Sequence, residues 1–167
     1  MSHSPAQNPS SIHSHRLTEK LASFCVTTRA QDLPAAALVS GRQLILDTIG
    51  VSLLASTHEV GRLISAHAAA LGGHAPVASV FGAGNLRVAP IFAAQANGTM
   101  ANALDYDGGG HLPTHILPAV LAVAEEGRLS GRDALAAFVV AYEAAARLTQ
   151  VIDAKRAEHR GPTYRGW

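Results

Sequence analysis

Apolar residues recur at helical spacing from residue 17 onward. Leu17, Leu21, Phe24 and Cys25 fall at i, i+4, i+7 and i+8, which is one face of an amphipathic helix. We interpret Cys25 as a small core residue on that face, in a protein of a reducing compartment. Residues 1–15 lack the pattern and are rich in Ser, His, Pro and Asn. They are predicted to form a mobile, disordered tail.

Local signals then divide the chain into further helices. Asp32 and Pro34 predict the start of a second helix that runs to about Leu54, and Gly50 inside it predicts a close helix crossing. The stretch Ser56-Thr57-His58-Glu59 matches a capping box at the start of a third helix, which is predicted to end at Gly72-Gly73.

A short extended segment over residues 78–81 is predicted before the turn Gly82-Ala83-Gly84-Asn85. This turn lacks the third glycine and the strand–helix context of a nucleotide-binding loop. The fourth helix, over about residues 89–104, is rich in small residues, so we expect it at the centre of a bundle. Asn97 and Asn102 on it are predicted to be buried and hydrogen bonded.

Two more helices complete the pattern. One is predicted from about Leu117-Pro118 to Gly127, and a long one from Ser130. The core face of the long helix is predicted to consist of Leu135, Val139, Tyr142 and Ala146, with a surface pair Glu143–Arg147. Six or seven helices and almost no strand predict an all-α fold, a multi-helix bundle.

Composition narrows the class of protein. Hydrophobic residues make up 48% of the 167 residues and charged residues 15%, which excludes a largely disordered chain. The net charge is only +1, and the basic residues do not form the stripe that a nucleic-acid-binding surface needs. We find no signal peptide, and the apolar run over residues 44–55 is broken by Asp47 and is too short to span a bilayer. We therefore predict a soluble cytoplasmic protein without a nucleic-acid or membrane partner.

The densest group of reactive side chains is Asp105-Tyr106-Asp107-Gly108-Gly109-Gly110-His111-Leu112-Pro113-Thr114-His115. Three interpretations stay open on residue chemistry alone. A histidine beside an aspartate suits proton abstraction next to a carboxylate. Two aspartates and two histidines also suit a metal, although Pro113 argues against a regular helical turn between His111 and His115. In the third interpretation, the side chains only satisfy backbone groups of the loop.

The order of several motifs resembles the MmgE/PrpD family over residues 17–167. The resemblance rests on these stretches, in order: Leu46-Asp47-Thr48-Ile49-Gly50-Val51, Ala93-Ala94-Gln95-Ala96-Asn97-Gly98-Thr99, Ala103-Leu104-Asp105-Tyr106-Asp107, Leu117-Pro118-Ala119 with Ala124-Glu125, and Ser130-Gly131 with Tyr142-Glu143 and Arg147. It implies a large helical domain with a smaller α+β lid. It also implies dehydration, decarboxylation or epimerisation of small polycarboxylates, as in 2-methylcitrate dehydratase of propionate metabolism, without metal or organic cofactor and commonly as homodimers.

The resemblance also implies site residues. Asp105 matches an active-site position of the family. The first catalytic histidine matches His111 when aligned backwards from Leu117 and His115 when aligned forwards from Asp105, so both are candidates, with a slight preference for His111. Asp107, Asn97 and Gly109 are the candidate substrate-binding residues, and no metal ligand is predicted.

The chain departs from the family pattern at the predicted loop and at its end. Gly108 replaces an acidic residue, Gly109 or Gly110 a hydroxyl residue, and Asn102 a histidine. Residues 161–167 resemble the approach to a motif whose catalytic histidine would come next. We therefore expect residues 16–167 to be a partial helical domain, inactive alone as an enzyme and prone to oligomerise through uncovered apolar faces. The alternative is a non-enzymatic helical dimerisation or interaction module.

Overall fold

The protein is described by a computed structural model that covers the backbone of residues 9–73 and 76–160 and the side chains of residues 16–73, 76–108 and 110–152. Six helices lie in these ranges: α1 (Pro9–Thr27), α2 (Ala35–Ser56), α3 (Glu59–Leu71), α4 (Pro90–Asn102), α5 (Leu112–Glu126) and α6 (Gly131–Arg160). A two-residue antiparallel pair, β1 (Ala78–Ser79) and β2 (Arg87–Val88), separates α3 from α4. The predicted all-α class is confirmed.

Helix α4 lies at the centre of the bundle, as its small residues predict. It packs against α2, α3 and α5, while α6 packs against α5 and α2. Ala93, Ala96 and Met100 of α4 are fully buried, and Leu117 of α5 and Phe138 of α6 are fully buried as well. Small side chains on α4 let the neighbouring backbones approach closely, which buries apolar area without large side chains.

Close helix contacts occur at two glycines other than Gly50. A β-carbon on Gly61 would lie 2.3 Å from the carbonyl oxygen of Ala55, and one on Gly41 would lie 2.6 Å from Val139. Around Gly50 no described atom lies within 4 Å of such a carbon, so the predicted crossing there is wrong. Gly41, toward α6, and Gly61, at the α2–α3 turn, therefore allow close helix packing, and Gly72 and Gly82 lie similarly close to Val88 and Ser56.

The short β pair is attached to the bundle by two buried or half-buried polar side chains. The Asn97 amide donates to the Ser79 carbonyl (2.9 Å), and its oxygen accepts from the Phe81 N–H (2.8 Å). Glu125 Oε2 accepts from the Ser79 N–H (2.5 Å) and pairs with Arg87. Gly82 and Gly84 adopt positive φ angles of 67° and 63° in the turn between the strands. The glycine loop is therefore a hairpin turn.

Helix α1 differs from its prediction in two ways. It begins at Pro9, so residues 9–15 belong to the helix, while residues 1–8 lie outside the described part. Cys25 is exposed, so its assignment to the core is wrong. In the described part of the chain the helix packs mainly against α6, with the Arg147 guanidinium 5.7 Å from the Phe24 ring centre. Because α6 covers only a narrow part of the α1 surface, Cys25 beside that part stays exposed.

Two other sequence interpretations need correction. Ser56 caps no helix, because its hydroxyl donates to the Leu53 carbonyl and His58 occupies the N-cap of α3. Asn102 is exposed at the end of α4, whereas Asn97 is buried as predicted.

The core face of α6 is centred on Phe138 rather than on the predicted residues. Of the four predicted, Leu135 is buried, and Val139, Tyr142 and Ala146 are only half-buried. At the start of the helix the Asp133 N–H donates to Ser130 Oγ, which is the predicted cap. The predicted pair Glu143–Arg147 forms, with a hydrogen bond of 2.7 Å.

Large apolar side chains remain exposed along α2. Val39 (50%), Leu46 (74%) and Leu53 (46%) lie seven residues apart, on one face of the helix. In the described residues, α2 and residues 131–152 of α6 are long and apolar enough to cross a membrane by length and composition alone. This finding differs from the expectation that the apolar runs are too short.

Candidate functional site

The candidate site lies in the connection between α4 and α5. After Asn102 the chain turns at Asp105 (φ 55°) and forms a short 3-10 turn, Gly109–His111, in which both Gly110 and His111 have φ of 65°. A left-handed conformation costs a non-glycine residue roughly 1 kcal/mol or more, and aspartate tolerates it better than most residues. The strained backbone at Asp105 and His111 directs both side chains into one group.

Asp105, Asp107 and His111 come together in this group. His111 Nδ1 lies 2.8 Å from Asp107 Oδ2, within hydrogen-bond distance, and His111 Nε2 lies 3.7 Å from Asp105 Oδ1. The Asp107 side chain is fully buried, the His111 side chain is 40% exposed and the Asp105 side chain is 68% exposed. The imidazole therefore lies between a buried and an exposed carboxylate, with part of its ring open to solvent.

His115 lies one helical turn further along the chain, in the first turns of α5. It is exposed, and in the part of the chain that the structure describes it makes no hydrogen bond or ion pair with the other three residues. Between the two histidines, Thr114 is buried and donates its hydroxyl to the His111 carbonyl at 2.8 Å. Pro113 occupies the first turn of α5, where a proline is tolerated, so His111 precedes the helix and His115 belongs to it.

The predicted substrate-binding residues separate from one another. Asp107 is part of the group, and the Gly109 backbone lies in the 3-10 turn beside it. Asn97 is engaged elsewhere, because its side-chain amide bonds to the backbone of Ser79 in β1 and of Phe81 just after it. Asn97 is therefore separate from the group formed by Asp105, Asp107 and His111.

One acidic residue near the loop was not predicted as a site residue. Asp47 of α2 is exposed, and its Oδ2 lies 3.9 Å from the position that a β-carbon on Gly108 would occupy. The sequence signal for Asp47 was its place in the motif Leu46-Asp47-Thr48. Its proximity to a loop sixty residues further along the chain depends on the tertiary fold, which the spacing of residues does not reveal. Asp47 therefore brings a carboxylate close to the backbone of Gly108.

The group has the donor types of a small cation site. Asp105, Asp107 and His111 each offer one ligand atom, and these atoms lie within 4.8 Å of one another. Oxygen and imidazole nitrogen donors suit several divalent ions. One Asp107 oxygen is already bonded to the imidazole, which is also the arrangement of a carboxylate that orients a histidine.

Proton transfer is the other chemistry available to this group. Imidazole accepts and returns protons near neutral pH, and a flanking carboxylate stabilises the imidazolium form. The other oxygen of Asp107, Oδ1, is buried and has no partner among the described atoms. Removing the one partner of a buried carboxylate is strongly destabilising, because it leaves an unpaired buried charge.

Comparison with known proteins gives the chain its family. Residues 19–166 match the model of the MmgE/PrpD N-terminal domain. The chain is 30% identical over 140 residues to human cis-aconitate decarboxylase and 28% identical over the same length to the mouse protein, each match covering 79% of this chain. It spans only 29% and 28% of the lengths of these two relatives. Because the family model covers most of the sequence, this chain belongs to the MmgE/PrpD family.

Proposed function

We propose that the chain provides part of the active site of a cofactor-independent lyase or isomerase for a small polycarboxylate. The reaction removes a proton or CO2 beside a carboxylate, on a substrate such as cis-aconitate or 2-methylcitrate. The observation that carries this proposal is the group Asp105–His111–Asp107 on a strained loop. The relatives named as cis-aconitate decarboxylases favour the same substrate class.

The reaction class needs two proton-transfer groups, and the loop contains two histidines. In dehydration one imidazole takes the proton of the C–H bond, the electron pair forms the double bond, and the second group protonates the departing hydroxide. In decarboxylation the C–C bond breaks, CO2 leaves, and the electron pair on carbon takes a proton from an imidazolium. We assign these two roles to His111 and His115.

Asp105 has a supporting role in this proposal. Its Oδ1 lies 3.7 Å from His111 Nε2, the imidazole nitrogen that does not face the buried Asp107. When Nε2 gains a proton, the exposed carboxylate next to it stabilises the new positive charge. We therefore assign Asp105 to the side of the imidazole that faces away from Asp107.

The group is rich in carboxylates, so a polycarboxylate substrate would need additional cationic groups. In the described part of the chain, the only ion pairs of Asp105 and Asp107 are with His111, and Asp47 adds another carboxylate nearby. A polycarboxylate would meet repulsion here unless cationic groups come from elsewhere. We therefore propose that the basic substrate-binding residues lie outside this chain and that the chain alone is inactive.

The purified chain tests this proposal directly. Incubated with cis-aconitate or with 2-methylcitrate, it is expected to convert neither, as followed by proton NMR of substrate and product. Heat-inactivated chain is the control. Turnover above the control would contradict the claim that the chain needs further residues. A chimaeric enzyme that contains this chain tests the substrate class separately.

A non-enzymatic interaction module is the second candidate, favoured by the exposed apolar line Val39, Leu46 and Leu53 on α2. Patches of this kind mark protein interfaces. This candidate predicts that the isolated chain forms a stable, monodisperse dimer. It also predicts that substitution of His111 does not change the activity of a complete enzyme. For either function we propose a homo-oligomeric cytoplasmic protein.

A further inference from the structure

Asp107 is the most deeply buried charged group of the loop. Its side chain is fully buried, Oδ2 lies 2.8 Å from His111 Nδ1, and Oδ1 has no partner among the described atoms. Burial of a carboxylate is unfavourable unless a hydrogen-bonded partner compensates. Among the described residues, the imidazole of His111 is the hydrogen-bonded partner of this carboxylate, so the two side chains form a unit.

The backbone around His111 is arranged to make this contact. Gly110 and His111 both adopt left-handed φ angles of 65°, which turn the chain back just before α5 begins. The Thr114 hydroxyl then donates to the His111 carbonyl at 2.8 Å and fixes the peptide on the helix side. A strained residue keeps its conformation only when its surroundings hold it. Here the contacts with Asp107 and Thr114 hold His111 from two sides.

The contact also sets which ring nitrogen carries the proton. An ionised carboxylate only accepts hydrogen bonds, so Nδ1 must donate to Oδ2. In the neutral imidazole, Nε2 is then left with its lone pair. This nitrogen lies on the side of the ring that faces the exposed Asp105 at 3.7 Å.

We infer that Asp107 is a positioning residue that holds His111 in its Nδ1–H form and presents Nε2 as the reactive nitrogen. This role replaces the substrate-binding role that the sequence predicted for Asp107, because a fully buried carboxylate cannot contact a substrate. The catalytic consequence rests on the proposed function above. The tautomer does not, and it is measured without any substrate.

Asp105 provides a matched comparison. It belongs to the same loop and approaches the same imidazole, but it is 68% exposed, and its Oδ1 is 3.7 Å from Nε2, beyond hydrogen-bond distance. Substituting Asp105 removes a neighbouring charge and leaves the Nδ1 hydrogen bond in place. The two aspartates therefore have different expected effects on the tautomer.

Long-range proton–nitrogen NMR of the chain with ¹⁵N-labelled histidine measures this tautomer. Spectra are recorded with EDTA at a pH at which free imidazole is neutral, and the His111 signals are assigned by their loss in His111→Gln. We expect wild-type His111 to be predominantly Nδ1–H, with exposed His115 as the internal reference. A predominantly Nε2–H His111 in the wild-type chain would overturn the inference, and this result needs no variant to fold.

Two variants extend the test. Asp107→Asn is expected to lower the ratio of Nδ1–H to Nε2–H at His111 by about tenfold or more, because an amide can donate to Nδ1 where the carboxylate only accepts. Asp105→Asn is expected to leave the ratio nearly unchanged. Equal effects of the two variants would contradict a specific role of Asp107. Circular dichroism identifies a variant that has unfolded, in which case the wild-type spectrum decides.

Activity then separates the inference from the proposed function. In a complete enzyme carrying this loop, Asp107→Asn is expected to lower kcat by about 10²- to 10⁴-fold with KM little changed, as when an orienting carboxylate is lost. If the tautomer depends on Asp107 but kcat does not change in Asp107→Asn, the positioning role stands. The same result would contradict the assignment of His111 as a catalytic residue. A kcat loss with an Nε2–H wild-type His111 would support the proposed function and overturn the positioning role.

Discussion

Individual polar side chains in this protein have sharply different environments despite similar sequence surroundings. Asn97 and Asn102 both lie on α4, yet Asn97 is buried with two hydrogen bonds to the β pair and Asn102 is exposed at the helix end. Asp105 and Asp107 are two positions apart, yet one is exposed and the other buried. The buried member of each pair fixes the position of neighbouring groups.

Replacing Asn97 by alanine should destabilise the fold. The Phe81 N–H and the Ser79 carbonyl would lose their partners, and an unsatisfied buried group costs about 1–3 kcal/mol. We expect Asn97→Ala to lower the free energy of unfolding by about 2–4 kcal/mol in urea titrations.

Asn102→Ala is the matched control, because it removes an exposed amide from the same helix, with an expected change within about 0.5 kcal/mol. Equal effects of the two substitutions would show that the hydrogen bonds to the β pair do not stabilise the fold.

Glu125 is a second attachment of the β pair. Its Oε2 accepts from the Ser79 N–H and pairs with Arg87. Glu125→Gln keeps the shape and removes the charge, so we expect a loss of about 1 kcal/mol of unfolding free energy, since charge-assisted bonds are stronger than neutral ones. Exposed Glu126→Gln should change the unfolding free energy little. A larger effect at Glu126 than at Glu125 would contradict this assignment.

The helices themselves were largely predictable from periodicity and capping residues. The sequence predicted α2 to α4 to within a few residues, and the central place of α4 followed from its small residues. What it missed depended on tertiary contacts. Cys25 fits an apolar face but is exposed where α1 packs against α6, and Ser56 fits a capping box but bonds to its own helix. Spacing shows which residues share a face and not whether another element covers it.

The candidate site was predicted in part for the same reason. The cluster over residues 105–115 was visible in the sequence, and Asp105 and His111 do come together. The left-handed turn at Gly110 and His111 decides that His111 rather than His115 meets the aspartates, and no sequence spacing implies it. The proximity of Asp47 is likewise a contact between distant segments.

Glycine substitutions test the packing of α2. A methyl group on Gly61 would overlap the backbone of Ala55 and Ser56, whereas one on Gly50 would meet open space. We expect Gly61→Ala to lower the free energy of unfolding by about 2–3 kcal/mol or more. We expect Gly50→Ala to raise it by up to about 1 kcal/mol, because alanine favours helix.

Thermal or urea unfolding followed by circular dichroism measures both glycine variants. If Gly61→Ala were more stable than Gly50→Ala, the α2–α3 contact would not be as close as the structure shows.

At the scale of the molecule, large apolar side chains are exposed on several helices. Leu46, Leu63 and Ile91 are each more than 60% exposed, on three different helices. Arg42 and Asp47 lie within α2, and each charge costs about 2.5–3.5 kcal/mol at a bilayer centre. We expect protein surface to cover these apolar faces.

The isolated chain is therefore expected to self-associate. Light scattering after size exclusion should give a mass above that of the monomer, and Val39→Lys with Leu46→Lys should reduce it, because the charges oppose burial of that face. Arg42→Lys on the same helix is the control and should not change the mass. A monomeric wild-type chain would contradict the interpretation of these faces.

The central claim is that the Asp105–His111 loop transfers protons only within a larger protein. Its most direct test is the kcat for cis-aconitate of a chimaera in which the matched 140-residue stretch of human cis-aconitate decarboxylase is replaced by that of this chain. We predict turnover by the chimaera and a kcat about 10²- to 10⁴-fold lower in His111→Gln. Exposed His67→Gln on α3 should leave kcat unchanged. An active chimaera whose kcat is the same with and without His111 would contradict the account.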